Sequence, residues 1–200
     1  IDNNTYNALI FTDSSHKRMK INDLWYDVIM GTIFEKLELI NKRYLLIESN
    51  QRFINKSPSY FSTISISNNI VYQYIISLIK QEKVEVSKSF LKEYQKYQDI
   101  LIQYQLSNTV VSLTDLKHEA RYVLRLKKYL KPLIKEKKPE VVFLGPYNGY
   151  MGKAICLACN ELKICTIDIQ HGVQGKYHPT YNFFNVPSEG FNVLPNYFFT

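Results

Sequence analysis

The spacing of apolar residues along the chain predicts alternating strands and helices. Short apolar runs typical of buried strands occupy 8–12, 43–48, 141–144 and 165–170. A weaker strand signal covers 60–66, and another strand begins at Tyr197. Helical spacing of apolar residues covers 22–40, 68–80, 87–105, 113–137 and about 150–162. The order predicts an α/β fold: a Rossmann-like parallel sheet flanked by helices, with a helical insertion at about 68–138.

Two local interpretations refine that pattern. The residues after the first strand, 13–16, are turn and cap residues, so we expect a loop that carries polar groups there. The helix predicted over 22–40 has Asn22 or Asp23 as its N-cap.

Length and hydropathy indicate one folded domain. The chain has 200 residues, of which 46% are hydrophobic, and this is enough to bury a single sizeable core. No apolar run approaches the roughly 18 to 20 residues that span a bilayer. The N-terminus lacks the pattern of a signal peptide and looks trimmed. These features predict a cytoplasmic protein.

The net charge of +7 is concentrated in one predicted helix. Between Asp115 and Lys138 there are nine basic and three acidic residues, a net charge of +6. The apolar positions of the same stretch follow helical spacing, so one side of the helix is predicted to face the core and the other to be basic. A solvated helix face and peripheral contact with an anionic membrane at the inner leaflet both fit this pattern. No nucleic-acid-binding motif accompanies it, so no nucleic acid partner is expected.

Cysteine and histidine spacing does not predict a metal site. Cys156 and Cys159 lie three residues apart, but only Cys165 remains and no second pair follows. We predict buried thiols that act as small hydrophobic side chains. His171 and His178 lack a third ligand. Gly145, Gly149 and Gly152 depart from the spacing of a dinucleotide-binding loop, so no NAD site is expected.

Ligands of parallel α/β sheets bind beyond the carboxyl ends of the strands, where loops and helix N-termini converge. Three strand ends supply candidate site residues on that rule. They are Asp13, Ser14, Ser15 and His16; Tyr147, Asn148, Gly149 and Tyr150; and Gln170, His171 and Gly172. We expect the ends at Thr12, Leu144 and Gln170 to share one edge of the sheet. His171 followed by Gly172 fits either a cleft imidazole or a histidine that orders its loop.

The last sixty residues carry a family resemblance. The segments are Pro-Glu-Val-Val-Phe-Leu at 139–144, Tyr-Asn-Gly-Tyr at 147–150, Asp-Ile-Gln-His-Gly-Val-Gln-Gly-Lys-Tyr-His at 168–178, and Gly-Phe-Asn-Val-Leu-Pro-Asn-Tyr-Phe at 190–198. With the helix between them, they resemble bacterial surface-polysaccharide glycosyltransferases of the capsule and lipopolysaccharide type. The first 138 residues match only as the βα pattern that precedes these segments.

The resemblance implies the two-domain GT-B architecture. Residues 1–200 would form the N-terminal, acceptor-side domain, and a C-terminal domain outside this sequence would bind the nucleotide-sugar donor. No cofactor is then expected in this domain, and its partners would be the donor-binding domain and a glycan or lipid-linked acceptor. By position, Gln170, His171 and Gly172 would line the interdomain cleft, and Tyr177 and His178 would lie on the loop that covers it.

Transfer of a sugar to a hydroxyl group requires a base close to neutrality, and His171, Asp13 and His16 are the candidates. Two other functions remain open. One is a polyol-phosphate transferase of similar fold, which uses a nucleotide-activated alcohol. The other is a non-catalytic domain that binds carbohydrate or a partner protein.

Overall fold

The computed structural model describes residues 5–49, 56–80, 83–169 and 190–199. Its main feature is a six-stranded parallel sheet of order β5-β4-β1-β6-β7-β8. The six strands are β1 (Ala8–Asp13), β4 (Tyr44–Ser49), β5 (Thr63–Ser65), β6 (Val141–Leu144), β7 (Cys165–Ile169) and β8 (Tyr197–Phe199). The remaining two strands, β2 (Lys17–Ile21) and β3 (Leu24–Asp27), form a separate antiparallel hairpin.

β1 lies near the centre of the sheet, where Ile10 pairs with Leu46 of β4 on one side and with Phe143 of β6 on the other. β6 pairs in parallel with β7, so the carboxyl ends of β1, β6 and β7 lie along one edge. This confirms the expected shared edge for the ends at Thr12 and Leu144. β7 ends at Ile169, and Gln170 lies outside the described residues.

The described helices flank both sides of the sheet. Their bounds are α1 (Gly31–Leu39), α2 (Ser67–Ile79), α3 (Lys88–Gln103), α4 (Leu113–Lys137) and α5 (Tyr150–Leu162). Three of them, α2 to α4, are inserted between β5 and β6, which confirms the predicted helical insertion. None of the helices in the described ranges combines the length and apolarity that a bilayer crossing requires.

Alternate side chains of β1 enter two separate apolar cores. Leu9 and Phe11 pack with residues of α2, α4 and α5, and we call this side the α4–α5 face. Ile10 packs on the opposite side with Met30 before α1, Phe34 of α1 and Tyr26 of β3, and we call this side the hairpin face. The fold is therefore a three-layer arrangement, which is the Rossmann-like architecture predicted from the βα pattern.

The helix predicted over 22–40 is wrong in its first half, which forms the end of the β2–β3 hairpin. Asn22 and Asp23 have φ values of 50° and 64°, and residues with positive φ at both central positions close a tight hairpin turn. Neither residue is a helix N-cap. The turn before α1 is fixed by Asp27, whose Oδ1 accepts from the backbone N–H of Ile29 and of Met30, each at 2.9 Å.

The long basic helix agrees with its prediction. α4 begins after Ser112, whose hydroxyl accepts from the Asp115 N–H at 3.0 Å, and ends at Lys137, which is followed by Lys138 in the left-handed conformation. Residues that face the sheet, including Leu126, Leu130 and Ile134, are buried. The outer side is basic, although Lys127 and Lys131 both pair with Glu161 of α5 at 2.7 Å.

Cys156 and Cys159 of α5 are buried in the core of the α4–α5 face, as predicted, while Cys165 is half-buried. Burial raises the pKa of the Cys159 thiol to about 12 and raises the pKa of Cys156 further above its ordinary range. Both are therefore neutral thiols at pH 7, and they act as small apolar side chains.

Candidate functional site

A cavity of about 210 Å³ lies at the carboxyl edge of the sheet, between the end of β1, the end of β6 and the first turn of α5. This is where ligands of parallel α/β sheets bind. Its lining combines polar groups from the β1 end with glycines from the β6–α5 connection. The lining residues are Phe11, Thr12, Asp13, Ser15, His16, Ser49, Leu144, Gly145, Pro146, Gly149, Met151, Gly152 and Ile155.

The β1 end is shaped by a short 3₁₀ turn, Ser14–His16. Asp13 caps it, because its Oδ1 accepts from the Ser15 N–H at 2.8 Å. Asp13, Ser15 and His16 line the cavity, although only 4% of the His16 surface is exposed, whereas Ser14 is buried and is not among the lining residues. Three of the four candidates predicted after β1 therefore line one cavity, and Asp13 has a structural function there as a cap.

His16 belongs to a buried hydrogen-bond network of three side chains. Its Nδ1 lies 3.2 Å from the Thr12 hydroxyl, and that hydroxyl donates to Asp27 Oδ2. Asp27 is the last residue of β3, so the hairpin places the third side chain of this network beside the end of β1. All three residues are at least 96% buried.

The positions of the protons in this hydrogen-bond network follow from its donors and acceptors. A carboxylate can only accept, so the single hydroxyl proton of Thr12 points to Asp27. The Thr12 oxygen must then accept from His16, which places the proton of neutral His16 on Nδ1 and a lone pair on Nε2. The arrangement can therefore present an oriented imidazole base at the cavity.

The sequence does not single out the side chains of Thr12 and Asp27, because the strand-end rule does not predict the side-chain hydrogen bonds that join them to His16. Thr12 was assigned only as a strand end, and Asp27 fell inside the predicted helix. The signal that locates Asp27 is the pair Asn22-Asp23 between the alternating stretch 17–21 and the short apolar run 24–26, which is typical of a hairpin.

The opposite wall is the connection from β6 to α5. A Cβ on Gly152 would lie 2.4 Å from the Tyr147 Cα, so only glycine lets the connection lie against α5 this closely. A Cβ on Gly149 would meet nothing within 4 Å. Gly149 is the N-cap of α5 and no side chain caps that helix, so its first turn can accept a negatively charged ligand group at the cavity.

The structure gives Tyr147, Asn148 and Tyr150 different environments. The Tyr147 ring is buried against Phe198, and burial raises its pKa to about 12, so its side chain packs in the core. Its backbone N–H donates to Asp168 Oδ1 at 2.9 Å and fixes the connection. Asn148 is half-buried. Tyr150 is exposed and donates to Glu119 of α4 at 3.2 Å, beside the cavity rather than among its lining residues.

Gln170, His171, Gly172, Tyr177 and His178 lie outside the described residues, and their assignment to the cleft stays a prediction. Within the ranges that the structure describes, no group of three or more His, Cys, Asp or Glu side chains is arranged to hold a metal ion.

No protein-family model matches the chain, and no curated protein matches it in sequence. Among solved structures, it is similar to UDP-GlcNAc 2-epimerase from Neisseria meningitidis bound to UDP-GlcNAc, with 12% identity and a TM-score of 0.39 over 85% of this chain and 32% of that chain. It is also similar to the glycosyltransferase SsfS6 from Streptomyces sp. SF2575, with 12% identity and a TM-score of 0.36. The complex of SsfS6 with thymidine diphosphate gives 12% identity and a TM-score of 0.39. The two SsfS6 comparisons each cover 82% of this chain and 38% of that chain.

The chain thus spans about a third of the length of these structures. Likeness at this level assigns neither a family nor an activity. The architecture is established by the strand order, and the chemistry has to be argued from the cavity itself.

Proposed function

We propose that this chain is the acceptor-side Rossmann-like domain of a two-domain GT-B glycosyltransferase that acts in bacterial surface polysaccharide synthesis. The main support for the proposal is the hydrogen-bond network of Asp27, Thr12 and His16 at the cavity. This network can supply the oriented base that sugar transfer to a hydroxyl group requires. The resemblance of residues 139–198 to such transferases supports the same assignment.

In the proposed reaction, an acceptor hydroxyl lies in the cavity within reach of His16 Nε2. Nε2 takes the hydroxyl proton while the acceptor oxygen bonds to the anomeric carbon of the donor sugar. The bond from that carbon to the phosphate oxygen breaks, and the nucleotide leaves with the electron pair. Thr12 and Asp27 are positioning residues: they hold the imidazole in one tautomer, and the nearby Asp27 carboxylate stabilises the imidazolium that forms.

The remaining parts of the proposal concern partners. The nucleotide-sugar would be bound by a C-terminal domain, and this domain would hold a glycan or lipid-linked acceptor. The basic side of α4 would contact anionic lipid at the inner face of the membrane, where each unpaired Lys or Arg contributes about 1 kcal/mol. Lys127 and Lys131 contribute less, because Glu161 neutralises part of their charge.

The test uses the full-length protein, a panel of nucleotide-sugars and nucleotide-activated alcohols, and nucleotide release as the readout. We expect release with a sugar donor, and a decrease of about 10² to 10⁴ in turnover for His16→Ala, the range for loss of a positioned base. His118→Ala is the matched control, because His118 lies on α4 and not among the cavity residues. It should leave turnover nearly unchanged.

Other outcomes separate the alternatives. Loss of turnover in His171→Ala, but not in His16→Ala, would show that His171 and not His16 is the base. Release only from activated alcohols would favour the polyol-phosphate transferase, and no release with any donor would favour the non-catalytic domain.

A further inference from the structure

A second cavity lies on the same edge of the sheet, beyond the ends of β4 and β5. It measures about 450 Å³, within the range of small-molecule sites. Its lining is mainly hydrophilic, with six Ser or Thr residues, one Asn, two Lys and one Glu, against Pro58 and Phe61 as apolar members. The lining residues are Lys17, Glu48, Lys56, Ser57, Pro58, Ser59, Phe61, Ser62, Thr63, Ser65, Ser67 and Asn68. We call it the lysine groove.

Two lysines line the lysine groove and contact each other's backbone. Lys17 is 3% exposed, and its Nζ pairs with Glu48 and lies 3.4 Å from the Lys56 carbonyl oxygen. Lys56 Nζ donates in return to the Lys17 carbonyl oxygen at 2.5 Å and lies 5.1 Å from the centroid of the Trp25 ring. Each lysine therefore holds the backbone of the other.

The groove carries a net positive charge. Glu48 neutralises Lys17, and in the part of the chain that the structure describes no carboxylate pairs with Lys56. Lys56 is half-buried, and an ammonium group partly shielded from solvent attracts anions more strongly than one in open water, since the local dielectric constant is lower. A phosphate oxygen can accept charge-assisted hydrogen bonds from such a group, and the Ser and Thr hydroxyls can bind further oxygens.

The lysine groove also adjoins the cavity that contains His16. Lys17, the first residue of β2, follows His16, and Glu48 precedes Ser49 at the end of β4, so consecutive residues line the two cavities. A ligand anchored in the lysine groove would have its neighbouring group near the His16 cavity. The few apolar side chains argue against a lipid chain as the occupant and favour a hydrophilic one.

We propose that the lysine groove binds the phosphate of a phosphorylated sugar or polyol, with Lys56 as the main cation. The inference rests on the proposed function for one detail only: the bound compound would be part of the acceptor. The phosphate could belong to a free sugar phosphate or to a phosphodiester within a glycan. The shared chemistry is a phosphate ester flanked by hydroxyl groups.

The experiment is a titration of the isotope-labelled chain, followed by backbone amide shifts in NMR. The probes are glucose 1-phosphate, its methyl diester in which the phosphate joins glucose and methanol, inorganic phosphate and glucose, all at constant ionic strength. We expect saturable shifts at Ser62, Thr63, Ser65 and Ser67 with the phosphate probes and none with glucose. Tighter binding of the diester than of the monoester would indicate a phosphate within a glycan, and the reverse would indicate a free sugar phosphate.

Variants of Lys56 test whether its positive charge binds the phosphate. Lys56→Gln should weaken binding of glucose 1-phosphate about tenfold, as expected for loss of one charge-assisted hydrogen bond. Lys56→Arg should retain binding within about threefold, and it also controls for loss of the contacts of Lys56 with Lys17 and Trp25. Lys92→Gln, an exposed lysine of α3, should have no effect.

Three results would overturn the inference: equal shifts with glucose and its phosphate, shifts at Gly149 instead of the groove, or unchanged affinity in a folded Lys56→Gln variant. The readout is binding, so it is independent of the transfer assay. Binding in the groove without any transferase activity would refute the proposed function alone, and a His16-dependent transferase that shows no groove binding would refute this inference alone.

Discussion

The two faces of the sheet are stabilised in different ways. In the described part of the chain, the α4–α5 face buries a cluster of nineteen apolar residues, whereas the hairpin face buries seven. Among the described residues, the hairpin face also buries five polar side chains near the carboxyl edge, namely Thr12, His16, Lys17, Asp27 and Glu48, whereas the α4–α5 face buries Asp168 there. Apolar packing tolerates many arrangements, but buried polar groups need specific partners. The difference explains why the candidate chemistry lies beside the hairpin.

The largest expected effect concerns the α4–α5 face. Leu130 is fully buried between α4 and the sheet, so Leu130→Ala removes its buried methyl groups and leaves a cavity. We expect a loss of about 2 to 5 kcal/mol in the free energy of unfolding, measured by urea denaturation. Leu124→Ala is the control on the same helix, because Leu124 is 39% exposed, and it should cost less than about 1 kcal/mol. Similar losses in the two variants would contradict a core on this face.

The next effect concerns the hairpin face. In Asp27→Asn the Oδ1 acceptor for Ile29 and Met30 is retained, so the fold should survive. The new amide donates to Thr12, the Thr12 proton turns to His16 Nδ1, and the histidine proton moves to Nε2. In the proposed transfer reaction, turnover of the full-length protein should fall about 10²-fold, because the wrong tautomer would face the acceptor hydroxyl.

The readout that separates this effect from simple destabilisation is the ¹⁵N spectrum of the His16 ring. It should report an Nδ1–H tautomer in the original chain and an Nε2–H tautomer in Asp27→Asn. An unchanged tautomer together with normal turnover would remove Thr12 and Asp27 from the site.

The α4–α5 face was the more predictable of the two from the sequence. The bounds of α4, β6 and α5 agree with the apolar spacing, because long helices and fully buried strands bury the residues that define their periodicity. The hairpin face was less predictable. Leu24 and Trp25 also match helical spacing with Ile29 and Ile33, and periodicity alone cannot separate a short strand followed by a helix from one longer helix.

The sequence predicted where the candidate site lies, but not the hydrogen bonds and side-chain orientations within it. The strand-end rule selected Asp13, Ser15, His16 and Gly149, and all four line the cavity. The rule could not supply Asp27, because Asp27 approaches from outside the sheet through the hairpin. It also gave no orientation for Tyr147, whose ring is buried beside Phe198 while its backbone supports the loop.

Cysteine reactivity gives a third test, of how tightly the α4–α5 face is closed. The thiolate is the reactive species, and a pKa of about 12 for Cys159 reduces its thiolate fraction at pH 7 by roughly a thousandfold relative to an ordinary thiol. Burial raises the pKa of Cys156 as well. In the native chain, iodoacetamide should modify the half-buried Cys165 at least about tenfold faster than either.

Peptide mass mapping after timed labelling measures the three rates. In urea the difference should disappear, since burial is its cause. Fast native modification of Cys156 or Cys159 would show that α5 separates readily from the sheet, and the α4–α5 face would then not be the more tightly closed side.

The smallest expected effect concerns the ion pairs at the outer edge of that face. Lys127 and Lys131 hydrogen-bond Glu161 and lower its pKa to about 2 from an ordinary value of 4.5. Because the pKa is lower in the folded chain, the stabilisation is present above about pH 4.5 and is lost as the pH falls towards 2. The side chains are partly exposed, so solvent limits the contribution to about 0.5 kcal/mol.

Glu161→Gln should therefore be slightly less stable than the original chain at pH 7 and equal to it at pH 2, in parallel urea titrations. Glu93→Gln is the control, because its pair with Lys96 lies within α3 and joins no two elements. The Glu161 difference should also shrink in 1 M salt, where the screening length is roughly 3 Å. A loss well above 1 kcal/mol at pH 7 that disappears at pH 2 would mean that these ion pairs, and not the apolar core, hold α4 to α5, and the contrast between the two faces would no longer stand.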